Sequence, residues 1–147
     1  MITPDRFLDQ AKRLLAAGAG TSEEDSRSAI SRAYYSLFHE TKQALESRHR
    51  ANVIAQISQY LRTNNQAFNP LRLSSLDEGY LRVLKVNMHI ILTDVLRRLD
   101  SPMGNDFKGF RRQRNIADYD LRQNLDPIDS ETKVNAMDRL IQSVRTI

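Results

Sequence analysis

The chain has 147 residues, about 40% of them apolar, with 5 glycines and 4 prolines, so we expect residues 1–147 to form a single domain with one buried core. It contains no cysteine, which excludes disulfides, thiolate catalysis and cysteine-based zinc sites. The formal net charge of +4 allows a nucleic-acid partner but does not require one.

The distribution of apolar residues indicates a protein of the cytoplasm. The N-terminal sequence carries an early acid, Asp5, and no long apolar run, so we expect no secretory signal peptide. The longest aliphatic run, residues 90–92, is far shorter than the roughly 20 residues that span a bilayer. The absence of cysteine also suits a reducing compartment. We therefore predict a cytoplasmic protein with no membrane partner.

Apolar residues recur at steps of three and four along the chain, and runs of β-branched residues are absent, which predicts an all-α fold. The first predicted helix begins at residues 3–5 and ends at residues 18–20, which contain two glycines. The second is capped by Thr21 or Ser22 and continues to about Arg48.

The middle of the chain predicts a short helix, a loop and a long helix. The short helix covers residues 52–63, and the polar loop runs over residues 63–70. The long helix is capped by Ser74 or Ser75 and continues to about Leu99. Its apolar face is unusually wide, which is typical of a central helix or of a subunit interface. The residues that widen this face are Val83, Val86 and Ile90.

The C-terminal third predicts two more helices. Residues 100–104, with a proline and a glycine, are expected to end the long helix. A fifth helix then covers residues 106–119, and the last helix is capped by Asp129 or Ser130. The whole pattern predicts a five- to six-helix up-and-down bundle.

The sequence KGFRRQRNIADYD, residues 108–120, has the most unusual charge order in the chain. Four cations fall within seven residues, and two acids around a tyrosine follow at once. Arginine forks bind phosphate oxygens in two-point contacts, so this order is typical of an anion site. A plainer interpretation is a solvated helix end with an Arg114–Asp118 pair.

Several classes of enzyme site have no support in the sequence. There is no glycine-rich phosphate loop, and His39, His49 and His89 are too scattered to form a local metal motif. No helix face gathers the acids that two-metal catalysis needs. We therefore expect neither a metal nor a cofactor. Metal-independent chemistry on a phosphodiester, or binding without chemistry, remains.

Two segments resemble a known family. SRAYYSLFHETKQAL, residues 31–45, is similar to the second helix of small stand-alone HEPN proteins, which carry an RAYY…FH-like pattern. RQRNIADYD, residues 112–120, resembles their other hallmark, an Arg-x-x-Ala-Asp-Tyr element near the C-terminal helix. The two motifs stand in the order seen in that family, with a final amphipathic helix after them.

The resemblance implies a HEPN-like helical bundle that forms a homodimer. Many HEPN proteins are metal-independent ribonucleases in which an Arg and a later His from each subunit meet in one composite site. Here Arg114 and Asn115 match the Arg and the polar residue after it, whereas Tyr119 occupies the position of the His. The resemblance also implies a nucleotidyltransferase partner, as in toxin–antitoxin pairs, some of which adenylate a tyrosine of the toxin. Tyr119 is the candidate for such modification here.

Three functions follow from these features. In the first, a toxin–antitoxin or defence protein binds RNA and cleaves it: Arg114 contacts the scissile phosphate, Tyr119 donates a proton or hydrogen bond, and Asp118 orients Arg114. In the second, a non-catalytic HEPN module binds a nucleotide or a nucleotidyltransferase. In the third, the module serves only helical dimerisation. Tyr35 and His39 are placed next to the site, with His39 either facing it or packing elsewhere. The predicted nucleic-acid contacts are Lys108, Arg111, Arg112, Asn115 and Arg32.

Overall fold

The computed structural model describes residues 3–147, and over this range the chain contains α-helices and one short 3-10 turn but no strand. The predicted all-α class is therefore confirmed. None of the helices in residues 3–147 is long and apolar enough to cross a membrane. Eight α-helices are formed rather than five or six: α1 Pro4–Leu14, α2 Glu23–Arg48, α3 Arg50–Thr63, α4 Pro70–Ser74, α5 Glu78–Val83, α6 Met88–Leu99, α7 Ser101–Tyr119 and α8 Pro127–Val144.

Helix α2 is the central element, and its predicted bounds are confirmed. The Ser22 hydroxyl accepts a hydrogen bond from the Asp25 amide at 3.1 Å, which caps the first turn. The helix packs against α1, α7 and α8. Its apolar stripe, which includes Ile30 and Leu37, is fully buried, and so is the ring of Tyr34. The core therefore surrounds α2 rather than lying between two layers.

The prediction of one long helix over residues 75–99 is wrong, because the chain turns at residues 84–87. Lys85 has a φ of 56°, and the Val86 amide donates to the Leu81 carbonyl at 3.0 Å, which closes the end of α5. Asp77 caps α5, and Asn87 caps α6. The predicted apolar face was too wide because it combined residues of two short helices. Val83, for example, is 74% exposed and does not face the core.

The expected end of the helix near Leu99 is confirmed, but only Asp100 separates α6 from α7, so the next helix begins at Ser101 rather than at residue 106. The Asp100 side chain accepts a hydrogen bond from the Met103 amide at 3.1 Å, so α7 begins directly after α6. Pro102 occupies the first turn, where its missing N–H costs nothing. Gly104 allows the two helices to cross closely, since a Cβ there would lie 2.6 Å from the backbone nitrogen of Arg97.

Three smaller boundaries differ from the predictions. Helix α3 begins at Arg50, two residues earlier than expected, and a short helix that was not predicted, α4, follows the predicted polar loop. Helix α8 begins at Pro127 because Asp126, rather than Asp129 or Ser130, accepts the capping hydrogen bond. Each difference lies at a helix end, where several capping residues compete.

Two arginines of α2 hold the C-terminal ends of other helices. Arg27 Nη1 donates to the carbonyl oxygens of Ile116, Ala117 and Asp120, each at 3.1 Å. Arg48 Nη2 donates to the Val144 carbonyl at the end of α8, also at 3.1 Å. These cations satisfy carbonyls that a helix end leaves unpaired. Arg27 thereby positions the last turn of α7, which carries the predicted site residues.

Candidate functional site

The polar residues of α7 occupy two different faces of the helix. Arg111, Arg114 and Asp118 are spaced at three and four residues and lie on the side toward α2, where the Arg114 side chain is only 13% exposed. Residues 108, 112, 115 and 119 are spaced in the same way along another face, which ends in Tyr119, 75% exposed. The structure therefore separates Arg114 from Tyr119 within one subunit.

Arg114 belongs to a cluster formed by three helices. Its guanidinium carbon lies 5.4 Å from the ring centroid of Tyr34 on α2, a cation–π distance. The Tyr34 hydroxyl oxygen lies 2.6 Å from Nδ1 of His89, at the start of α6. The His89 ring also stacks on Phe38, with centroids 4.2 Å apart. We call Tyr34, His89, Arg111 and Arg114 the inner cluster.

The two aromatic members of the inner cluster are uncharged at pH 7. Burial lowers the pKa of His89 to about 4, and the positive charges of Arg111 and Arg114 act in the same direction. Burial raises the pKa of Tyr34 well above its usual range. With the imidazole proton on Nε2, the Tyr34 hydroxyl donates to Nδ1 of His89. The cations of the cluster are thus packed against a neutral hydrogen-bonded pair.

Arg111 and Arg114 have N–H donors without an acceptor in the described part of the chain. Nη1 of Arg114 lies 3.6 Å from Oδ2 of Asp118, which is too long for a hydrogen bond, and within residues 3–147 no carboxylate lies within 4.0 Å of Arg111. The Nε atoms of both arginines are buried and find no hydrogen-bond partner in the same part of the chain. Buried unpaired donors are costly, so each Nε atom needs an acceptor such as an ordered water or an oxyanion.

A second feature lies on the other side of Asp118. A surface groove of about 510 Å³ is lined by residues of α1, of the N-terminal half of α2 and of the end of α7. The Asp118 carboxylate accepts a hydrogen bond from the Ser31 hydroxyl at 3.3 Å, and Arg32 donates to the Gln10 side chain at 2.6 Å. We call this feature the aromatic groove; the lining residues that matter here are Phe7, Ser28, Ser31, Arg32, Tyr35 and Asp118.

The remaining predicted residues lie elsewhere. Arg112, Asn115 and Tyr119 line a separate, more open groove of about 840 Å³, which we call the outer groove. Lys108 is exposed on α7. His39 is exposed and stacks against Tyr35, with centroids 6.3 Å apart, and burial of part of the ring lowers its pKa. The predicted site residues are thus divided among the inner cluster, the aromatic groove and the outer groove.

No site role was assigned to His89 or Tyr34 from the sequence. A signal for both was present. Tyr34 stands in the buried stripe of α2, where its hydroxyl needs a partner. His89 is in register with Leu92 and Leu96, so the helical period places it on the buried side of α6. The pairing itself joins positions 55 residues apart, which no local pattern specifies.

Comparisons with known proteins add no assignment: no family model, curated protein or solved structure matches the chain. Among residues 3–147, no three His, Asp or Glu side chains are grouped in a way that would hold a metal ion. The site is therefore interpreted from its own charges, hydrogen bonds and burial.

Proposed function

We propose that this chain is a HEPN-type RNA-binding protein of the toxin–antitoxin or defence class, with an up-and-down HEPN-like bundle that acts as a cytoplasmic homodimer. One observation carries the proposal: Arg114 lies over the ring of Tyr34 in the neutral Tyr34–His89 pair, with Arg111 nearby, and within residues 3–147 the Nε donor of each arginine has no acceptor. A phosphate group supplies both the negative charge and the several acceptor oxygens that this arrangement lacks.

The rest of α7 supports a polymeric ligand rather than a single phosphate. Lys108 and Arg112 add exposed positive charge on the other polar face of the same helix, where a strand that crosses α7 would place further phosphates. Asn115, half-buried beside them, offers an uncharged donor and acceptor. Binding of this kind is largely electrostatic and falls steeply with salt concentration.

Cleavage of RNA is the second element of the proposal. The 2′-oxygen attacks phosphorus and the bond from phosphorus to the 5′-oxygen breaks, which leaves a 2′,3′-cyclic phosphate and a 5′-hydroxyl. Arg114 stabilises the negative charge on the phosphorane oxygens, while a base takes the 2′-OH proton and an acid protonates the leaving 5′-oxygen. His89 is the imidazole of the inner cluster, and a bound phosphate offsets the two positive charges that lower its pKa. Tyr119 lies on another face of α7, so its role as proton donor requires the composite site of a homodimer.

The binding test uses a labelled single-stranded RNA and fluorescence anisotropy at several salt concentrations. We expect Arg114→Gln to weaken binding at least about tenfold and to reduce the salt slope by about one. Arg82→Gln is the matched control, because Arg82 is an exposed cation on α5. It should change affinity less than about twofold. Equal losses in both variants would show that only net charge matters and would contradict the proposed site.

The cleavage test incubates mixed cellular RNA with the protein in excess chelator. If the wild type cleaves RNA and Arg114→Gln does not, the nuclease is supported. If Tyr119→Phe also loses cleavage, Tyr119 is assigned as the proton donor. Thermal melting of each variant checks that it is folded. Binding without cleavage, at high protein concentration, would contradict the nuclease element while leaving RNA binding intact.

One observation favours a second candidate, the non-catalytic module with a nucleotidyltransferase partner. Tyr119 is 75% exposed at the end of α7, so its hydroxyl is accessible to an enzyme that modifies tyrosine. In this alternative the partner adenylates Tyr119 and so controls access to the outer groove. Mass spectrometry after incubation with a candidate nucleotidyltransferase and ATP would show one added AMP in the wild type and none in Tyr119→Phe.

A further inference from the structure

Two rings of the aromatic groove, Phe7 and Tyr35, pack with a third ring outside it, His39. The centroid of Tyr35 lies 6.0 Å from that of Phe7 and 6.3 Å from that of His39, and the Phe7 and His39 centroids are 6.4 Å apart. Tyr35 lines the groove and is 42% exposed. Exposed aromatic rings that are held in place by other rings are the surfaces on which nucleic-acid bases stack.

The polar lining of the same groove matches the other parts of a nucleotide. Ser28, Arg32 and Tyr35 recur at steps of four and three residues, so α2 presents them on one face. Arg32 donates to the side-chain oxygen of Gln10 and has no ion-pair partner within residues 3–147, so its charge is available to a phosphate, although Glu24 also lines the groove. Asp118 accepts a hydrogen bond from Ser31 and can accept more from a ribose hydroxyl or a base amine.

The position of the groove connects it to the inner cluster. Asp118 lines the groove, and its Oδ2 lies 3.6 Å from Nη1 of Arg114. A nucleotide in the groove would therefore be within reach of Arg32 and of Asp118, the residue next to Arg114 of the inner cluster. The volume of about 510 Å³ is in the usual range for a site that takes a small ligand.

We propose that the aromatic groove is a base-binding subsite, in which a nucleotide stacks its base on Tyr35, directs a phosphate to Arg32 and donates to Asp118. The inference rests on the proposed function where the nucleotide is part of an RNA strand whose neighbouring phosphate lies at Arg114. A free nucleotide has the same chemistry, so both sources are tested.

The first experiment titrates the full chain with AMP and, separately, with ribose 5-phosphate, which lacks the base, in an isothermal calorimeter. The wild type should bind AMP at least about tenfold more tightly than ribose 5-phosphate, because stacking of one base contributes about that much. Tyr35→Ala should abolish the difference, and Tyr35→Phe, which keeps the ring, should retain it. Equal affinity of Tyr35→Ala and wild type for AMP would overturn the subsite.

The second experiment separates this inference from the proposed function. A short RNA is compared with the same strand carrying one abasic position, using wild type, Tyr35→Ala and Arg114→Gln. If Arg114→Gln weakens RNA binding and Tyr35→Ala changes the affinity for neither strand, the RNA site is supported and the base subsite is overturned. Base-dependent AMP binding that needs Tyr35, in a protein that binds no RNA, supports the groove and overturns the proposed function. Binding of neither ligand overturns both.

Discussion

At the scale of single residues, the inner cluster depends on the pairing of Tyr34 with His89. Each ring is largely enclosed, and the 2.6 Å contact satisfies the Tyr34 hydroxyl and one imidazole nitrogen at once. Leaving one of these groups unpaired would cost about 1–3 kcal/mol. The pair therefore fixes the ring on which Arg114 rests and holds the guanidinium in one orientation.

The low pKa of His89 predicts that the protein loses stability in mild acid. The unfolded chain binds a proton on this residue near pH 6.5, whereas the folded protein does so only at about pH 4. Since the unfolded state binds more protons in this interval, the free energy of unfolding should fall as the pH decreases from 6.5 to 4. Urea unfolding of wild type and His89→Gln at pH 7 and pH 5 measures the effect.

The glutamine variant isolates His89 from the other titrating groups. His39 also has a lowered pKa and acts in the same direction, as do carboxylates such as Asp138, but all of these remain in the variant. The decrease in the free energy of unfolding between pH 7 and pH 5 should therefore be smaller in His89→Gln than in the wild type. Equal losses would show that His89 is not held neutral by its surroundings.

At the scale of secondary-structure elements, the crossing of α6 and α7 sets the geometry of the site. His89 lies on α6, and Arg111 and Arg114 lie on α7, so the angle and separation of the two helices determine whether these side chains meet. The two helices approach closely at Gly104, where a Cβ would lie 2.6 Å from the backbone nitrogen of Arg97. The absence of a side chain at this position is what allows the approach.

Two glycines of α7 give opposite predictions for the same substitution. Alanine stabilises a helix interior by up to about 1 kcal/mol relative to glycine. At Gly109 a Cβ meets nothing within 4 Å, so Gly109→Ala should raise the melting temperature. At Gly104 a Cβ would lie 2.6 Å from the Arg97 nitrogen, so Gly104→Ala should lower it by forcing the helices apart. Thermal unfolding by circular dichroism compares the two; stabilisation by both would contradict the close crossing.

The sequence was a good guide to elements whose ends carry ordinary signals. Helix α2 has a serine cap and acids in its first turn, and its bounds agree with the prediction. The division between α5 and α6 was not predictable in the same way, because Lys85 adopts a positive φ that lysine rarely takes. Gly104 was read as a helix breaker, since a glycine needed for close packing cannot be distinguished from one that ends a helix without knowledge of its neighbour.

The site was predictable only in part, for a similar reason. Charge order singled out Arg114 and Asp118, and the structure places them 3.6 Å apart. The helical period separates Arg114 from Tyr119, and this could have been deduced from the spacing alone. The contact of Arg114 with Tyr34, and of Tyr34 with His89, depends on how three helices pack, so no pattern within one helix specifies it.

At the scale of the whole molecule, exposed apolar side chains gather where α7 leads into α8. Tyr119, Leu121 and Ile128 are 75%, 78% and 51% exposed, and the first two line the outer groove. Exposed apolar residues that are close in the chain and rimmed by charge are typical of protein interfaces. This surface is our candidate for the contact of the proposed homodimer, in which Tyr119 would approach the other subunit.

The homodimer predicts that this surface, and not any exposed apolar residue, controls self-association. The double variant Tyr119→Ser, Leu121→Ser should shift the protein to the monomer in sedimentation-velocity experiments. Leu71→Ser is the control, because Leu71 is 82% exposed on α4, outside this surface, and should leave the dimer intact. A wild type that sediments as a monomer at all concentrations would contradict the homodimer.

The most direct test of the central claim is the pKa of His89, measured by NMR from its ring resonances with and without a short RNA. The His89→Gln spectrum assigns the resonances, and Arg114→Gln, which lacks one of the two cations, is the control. A phosphate held by Arg111 and Arg114 would favour the charged imidazole, so the pKa of His89 should rise by about one unit or more in the wild type. RNA that binds without moving the pKa of His89 would contradict a phosphate site at the inner cluster.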